Sequence, residues 1–199
     1  MIERFQYFMD LLESAFMDPL QLEEDLKSSP ISLKLVMNAI ALLNAFSIAV
    51  GFYILTIPAT KLVWIGILFS VIGNFVLFLL LPKVFGPILD SLAQKKDRPG
   101  KAFESIAASA ISSSIFMLYT PIATISQALG GRGGLYGLII LLFLLFCYAF
   151  ILARNVQYIY ELKSQDSIRF TLRALSYTFL IPLTFFIYIS VNLPAILSL

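Results

Sequence analysis

The chain has 199 residues, 59% hydrophobic and 13% charged, with a mean hydropathy of +0.90 and a formal net charge of +2. A soluble domain is about 45–50% apolar and about 25% charged, so this composition excludes a disordered chain, a water-soluble domain and, at so small a net charge, a nucleic-acid binder. With no histidine and the single Cys147, His-based triads, His-based zinc sites, thiolate clusters and internal disulfides are excluded too, leaving an integral membrane protein.

Residues 1–17 read as an amphipathic helix. At about 100° per residue, Ile2, Phe5, Phe8, Met9, Leu12, Ala15 and Phe16 share one arc, with Glu3, Gln6, Asp10, Glu13 and Ser14 opposite. Asp18-Pro19 ends this helix, because the residue before proline disfavours the helical region. Such a stripe suits a helix lying in the membrane interface. Its polar face is acidic, however, where interfacial helices carry Lys and Arg, and that fits docking on the chain's own basic loop or on a partner. Glu23-Glu24-Asp25 is favourable charge for a first helical turn. Ser29-Pro30 reads as an N-cap followed by proline at the first helical position.

A bilayer crossing needs about 20 apolar residues. Five stretches qualify: Leu35–Ile57, Leu62–Leu81, about 106–129, Leu135–Ala153, and from Ala174 to about 197. They read as helices, since no alternating segments of about 10 residues announce a barrel and open strands cannot cross lipid. The first run starts too late and is too long for a cleaved signal, so it reads as permanent. The expected fold is therefore all-α and polytopic, with residues 1–30 as a cytoplasmic segment and residues 31–199 as a five-span membrane domain.

Charge sets the expected topology. The N-terminal segment, the loop after the second span and the loop after the fourth share a side that carries twelve basic residues, against Lys61 and Arg132 on the other. The positive-inside rule places that side, and the N-terminus, in the cytoplasm, with the C-terminus outside. Every carboxylate also falls on that side and none within a span, which argues against a carboxylate relay for coupled transport.

Pro82 to Lys101 forms the largest cytoplasmic loop, with a short surface helix from Val84 to Ala93. Lys95, Lys96, Arg98 and Lys101 are either the topology signal itself or a contact for anionic lipid headgroups or an acidic partner. In the third span, small residues from Ser105 to Ser114 favour close helix approach and place it at the bundle centre. The bulky fourth span then faces lipid, and Cys147 within it is an apolar residue with no base beside it. These features permit a homo-oligomer. Asn74 is expected to bond a neighbouring helix or to touch a substrate. Pro121 and Pro182 should kink their spans, with Thr120, Thr124 and Thr184 meeting freed carbonyls. Gly130–Gly134 is a tight turn, lacking the Lys-Ser/Thr of a phosphate loop. No catalytic constellation appears, so the chain reads as a non-enzyme with neither cofactor nor metal.

The charged loop ends in Pro99-Gly100-Lys101-Ala102-Phe103. The third span contains Tyr119-Thr120-Pro121, a glycine turn and a bulky span follow, and Arg173-Ala174 opens the fifth. Over roughly residues 15–199 this layout resembles the Yip-one domain family of Ypt/Rab-interacting membrane proteins. Eukaryotic members carry an Asp-Leu-Tyr-Gly-Pro motif before the first span. This chain lacks it and looks like the short prokaryotic branch, which implies a bacterial inner membrane. The resemblance implies a non-catalytic scaffold or adaptor that organises protein partners at its cytoplasmic face, among membrane lipids, in trafficking or envelope organisation. The alternative is a transporter, or a transporter's membrane subunit, for a lipid or uncharged solute, with Asn74, Pro121 and Pro182 along its path.

Overall fold

The structure, a computed structural model, describes residues 2–28, 30–56 and 63–178. Helices α1 (Ile2–Phe16), α2 (Pro19–Ser28), α3 (Pro30–Thr56), α4 (Val63–Gln94) and α5 (Ala102–Ser112) are followed by a 3₁₀ stretch, Ser113–Leu118. Then come α6 (Tyr119–Ala128), α7 (Gly134–Ile159) and α8 over residues 164–178. No strand forms among the described residues. Among the described residues, four helical stretches are long and apolar enough to cross a membrane: Leu33–Thr56, Ile65–Gln94, Ala102–Ala128 and Gly134–Ile159. The chain is thus an all-α, multi-pass membrane protein. Of the expected fifth span, only the start lies within the described residues, in α8, which opens before Ala174. Pro182, Thr184 and the rest of that span fall outside them.

The second span does not stop at Pro82. α4 runs on through Pro82 and Pro87 to Gln94, so the expected loop is largely helix. A mid-helix proline costs about 3 kcal/mol, but Phe85, Leu89 and Ala93 form one stripe that is fully buried in the main core. Gly86 lets α4 and α5 touch: a Cβ there would meet Ile106 Cγ1 and come within 2.9 Å of its backbone nitrogen. Packing of this kind overrides the local preference for a break.

The third span is the most enclosed, with 61% of its most apolar window buried against 28% for α7 and 11% for α4, as its small residues predict. Its irregularity runs up to the turn that holds Pro121. The helix tightens to 3₁₀ at Ser113, whose hydroxyl donates back to Ala110 O at 2.6 Å. Serine hydroxyls compete with the helical ladder in this way. Pro121 lies in the first turn of α6, directly after the 3₁₀ stretch; its missing N–H leaves Met117 O without a ladder donor, and its ring is exposed. Ser47 of α3 staples the break by donating to Met117 O (2.8 Å) and accepting from Thr120 N (3.0 Å).

α1 and α2 fold back onto the bundle. Leu11, Ala15, Leu22 and Leu26 form a second core with Leu33, Val36 and Ile40 of α3 and Ala107 and Ile111 of α5. The inward arc of α1 is rotated from the expected one: Met9 is 48% exposed, whereas Ser14 is buried and donates to Asp25 Oδ2 at 2.7 Å. A hydrogen bond inside the corner outweighs serine's preference for water. Asp18 caps α2 by accepting from Leu20 N, with Pro19 as its first residue. At the opposite end of the bundle, Gly130 (φ 89°) and Gly133 (φ 93°) make the turn before α7 in backbone conformations that suit glycine.

Candidate functional site

Three chain segments meet at the charged end of the bundle. The α4 residue Asp90 is 6% exposed. Its Oδ1 accepts from Lys101 N (2.6 Å) and from the Tyr160 hydroxyl (2.7 Å), and its Oδ2 accepts from Gln94 Nε2 (2.7 Å). One carboxylate thereby ties the end of α4 to the start of α5 and the end of α7. Lys101 Nζ donates to Ile159 O at 2.7 Å, a cation at the C-terminal end of α7, where the helix dipole favours it. Burial holds the Tyr160 phenol well above its ordinary value. The Ser105 hydroxyl opposes that rise, and the Asp90 and Glu104 carboxylates add to it. The phenol therefore stays protonated and can donate.

Both α4 and α7 end in the same motif beside this junction. After α4, Asp97 N donates to Gln94 O and Arg98 N to Ala93 O; after α7, Glu161 N donates to Tyr158 O and Leu162 N to Gln157 O. These are Schellman closures, in which the left-handed position is usually glycine. Here that position holds Asp97 (φ 58°) and Glu161 (φ 49°). A non-glycine residue there costs about 1–2 kcal/mol, and both side chains are exposed, next to exposed Lys95, Lys96 and Lys163. The result is a rigid, mixed-charge surface.

The sequence-predicted basic cluster is split. Lys95 and Lys96 are exposed and Arg98 is half-exposed, while Lys101 turns inward to Ile159 O. Asp90, Gln94 and Tyr160 received no site role from the sequence. Asp90 lies one turn beyond Gly86, on the side of α4 that meets α5. That signal is visible only once α4 is read as continuing through both prolines. A further tie comes from Arg154, which donates to Phe16 O (3.2 Å) and Met17 O (3.0 Å) and so pins the α1 end to α7.

No family model, curated protein or solved structure matches this chain.

Of the expected intramembrane positions, the described ones, Asn74, Tyr119 and Pro121, do not converge. Asn74 bonds within its own helix, donating to Ser70 O (2.9 Å) and Ser70 Oγ (3.2 Å) rather than to a neighbour. It borders an apolar cleft of about 170 Å³ between α3, α4, the 3₁₀ stretch and α7, with Ile48, Leu77, Phe78, Phe116 and Tyr148 among its walls. Tyr119 is buried, donates to Gly137 O (3.0 Å) and packs where Gly51 leaves room for it. Pro121 is exposed on α6. Helix-to-helix polar contacts come instead from Asn44 to Ser113 Oγ (3.0 Å) and Asn155 to Ser112 Oγ (2.9 Å). Among the described residues, no three Cys, Asp or Glu side chains gather to hold a metal ion.

Proposed function

We propose that the chain is a non-catalytic membrane adaptor of the Yip-one kind, in a bacterial inner membrane, with its N-terminus and charged end in the cytoplasm. In this reading it gathers protein partners of mixed charge on the two turns at Lys95–Arg98 and Glu161–Lys163. One observation carries the proposal: two non-glycine left-handed turns, each displaying exposed charge, are fastened beside one buried carboxylate. Backbone strain that surrounding structure over-determines concentrates at functional sites, and binding residues favour loops held on a rigid scaffold. Lipid, and in some membranes a second copy of the chain, covers the apolar faces of α4 and α7.

The test is site-specific photo-cross-linking in native membranes from positions 96 and 163, with position 132 at the other end as control. The expected result is one discrete partner adduct from both charged-end positions, lost in Asp90→Asn protein that still inserts. Equal adducts from position 132, or none from 96 and 163, refute the adaptor.

The cleft beside Asn74 favours a second reading, passage of a lipid chain or an uncharged solute. Filling it with Leu77→Trp should abolish lipid movement in proteoliposomes if that reading holds. Wild-type protein that moves no lipid or solute dismisses it.

A further inference from the structure

Helix α8 divides cleanly along its axis. Phe170, Ala174 and Leu175 are buried in the core cluster that also contains Phe85, Leu89, Leu152 and Val156. Residues 160–163 join the start of α8 to the end of α7 at the charged end, so α8 sets out from the level of the leaflet surface. The opposite face exposes Ile168, Leu172 and Tyr177 at 40%, 52% and 50%. Between them, also exposed, stand Arg169 and Arg173, with Gln165 and Ser176 on the same arc. At about 100° per residue the two arginines lie one turn apart in the middle of the exposed arc, with Ile168 and Leu172 on one flank and Tyr177 on the other.

Neither guanidinium has an ion-pair or hydrogen-bond partner among the described residues. Asp166 is the one carboxylate on α8, and it does not close on Arg169. Like charges one turn apart repel, so the chain by itself gives this pair no reason to stand together. The positive-inside rule asks only for basic residues on one side. It does not ask for two of them one turn apart, flanked by exposed Ile168, Leu172 and Tyr177.

A phosphate at the polar edge of the leaflet supplies what is missing. Guanidinium groups bind phosphate bidentately and tolerate a partly dehydrated setting better than ammonium groups do. Ile168, Leu172 and Tyr177 offer the surface that the attached acyl chains would cover. We propose that Arg169 and Arg173 form a binding site for the phosphate of an anionic phospholipid in the leaflet at the charged end. The site is separate from Lys95 and Lys96, and it stands whether or not the adaptor reading does.

The test uses the full chain in detergent and native mass spectrometry, with phosphatidylglycerol titrated against phosphatidylcholine. Wild-type protein should retain phosphatidylglycerol selectively, and Arg169→Ala/Arg173→Ala should bind it about thirtyfold more weakly. Lys95→Ala/Lys96→Ala serves as the control for diffuse surface charge and should bind as wild type does. Arg169→Lys/Arg173→Lys, which keeps the charge and the fold, should bind at an intermediate level. Absence of selectivity overturns the site, as does an equal loss in the lysine control or retention in the double alanine variant. Displacement of the lipid by inorganic phosphate would assign the arginines to a soluble anion and overturn the lipid assignment.

Discussion

The two polar regions of this molecule are built to opposite standards. At the charged end, Asp90 takes up donors from Lys101, Tyr160 and Gln94. At the break in the third span, Asn44 and Asn155 each spend their amide N–H on a serine and leave Oδ1 with no partner among the described residues, as does Ser114 with its hydroxyl. A satisfied buried network fixes one geometry, and a partly satisfied one does not. The charged end can therefore hold two strained turns in place. The middle of the third span instead carries the one departure from regular helix among the described membrane-crossing stretches, Ser113–Leu118.

Asp90→Ala gives the largest expected effect on that contrast. It takes the carboxylate from the Lys101 N–H and leaves the Tyr160 hydroxyl only its longer bond to Lys101 O (3.2 Å). A buried donor left unpaired costs about 1–3 kcal/mol and a lost hydrogen bond about 0.5–1.5 kcal/mol, so a loss of about 3 kcal/mol is expected in detergent denaturation followed by circular dichroism. A loss below about 1 kcal/mol would mean that water reaches the junction and that the rigidity argument fails. The same junction has a pH signature. The folded phenol of Tyr160 titrates above the ordinary value of 10.0, so its contribution is intact below pH 10 and declines as the pH climbs past that value. Tyr160→Phe should lose less stability than wild type over that alkaline range.

Ser47→Ala comes next. It removes the hydroxyl that joins Met117 O to Thr120 N across the 3₁₀ break. The expected loss is about 2 kcal/mol, with faster amide exchange confined to residues near 113–120. Protection unchanged there would show that the bonds from Thr120 Oγ1 to Ser47 O and from Asn44 to Ser113 hold the break without the Ser47 hydroxyl.

Glu161→Gly should move stability in the opposite direction, by about 1 kcal/mol, because glycine meets φ 49° without steric cost. If the strained turn exists for a partner, the same variant should weaken the cross-link from position 163 while the fold becomes firmer. Stabilisation with no loss of cross-linking would make the turn merely structural.

Much of this architecture was legible because bilayer thickness imposes long apolar runs, and such runs leave little room for misreading. The small residues from Ser105 onward likewise marked the enclosed helix correctly. What could not be read depended on which of two local signals tertiary packing would overrule. Pro82 and Pro87 look like a helix end, yet Phe85, Leu89 and Ala93 continue a buried stripe across them. Pro121 marks one end of the break, yet the tightening reaches back to Ser113. Lys101 looks like one of four equivalent surface cations, and nothing in its spacing reveals that its ammonium turns toward Ile159. Asp90 was hidden for the same reason, since its burial follows from the helix that the prolines disguised.

The smallest expected effect is the most discriminating. Asn44→Leu deletes the bond to Ser113 and at the same time deletes the unpartnered Oδ1. The bond is worth about 0.5–1.5 kcal/mol, and a buried oxygen left unpaired costs about 1–3 kcal/mol. The two terms oppose each other, and within lipid such polar contacts average about 0.6 kcal/mol. The net change should therefore stay within about 1 kcal/mol, in contrast to Asp90→Ala, where every severed contact is a loss. Should Asn44→Leu destabilise by about 3 kcal/mol or more, its oxygen must be held by a water or another donor. The break in the third span would then be as fully specified as the charged end.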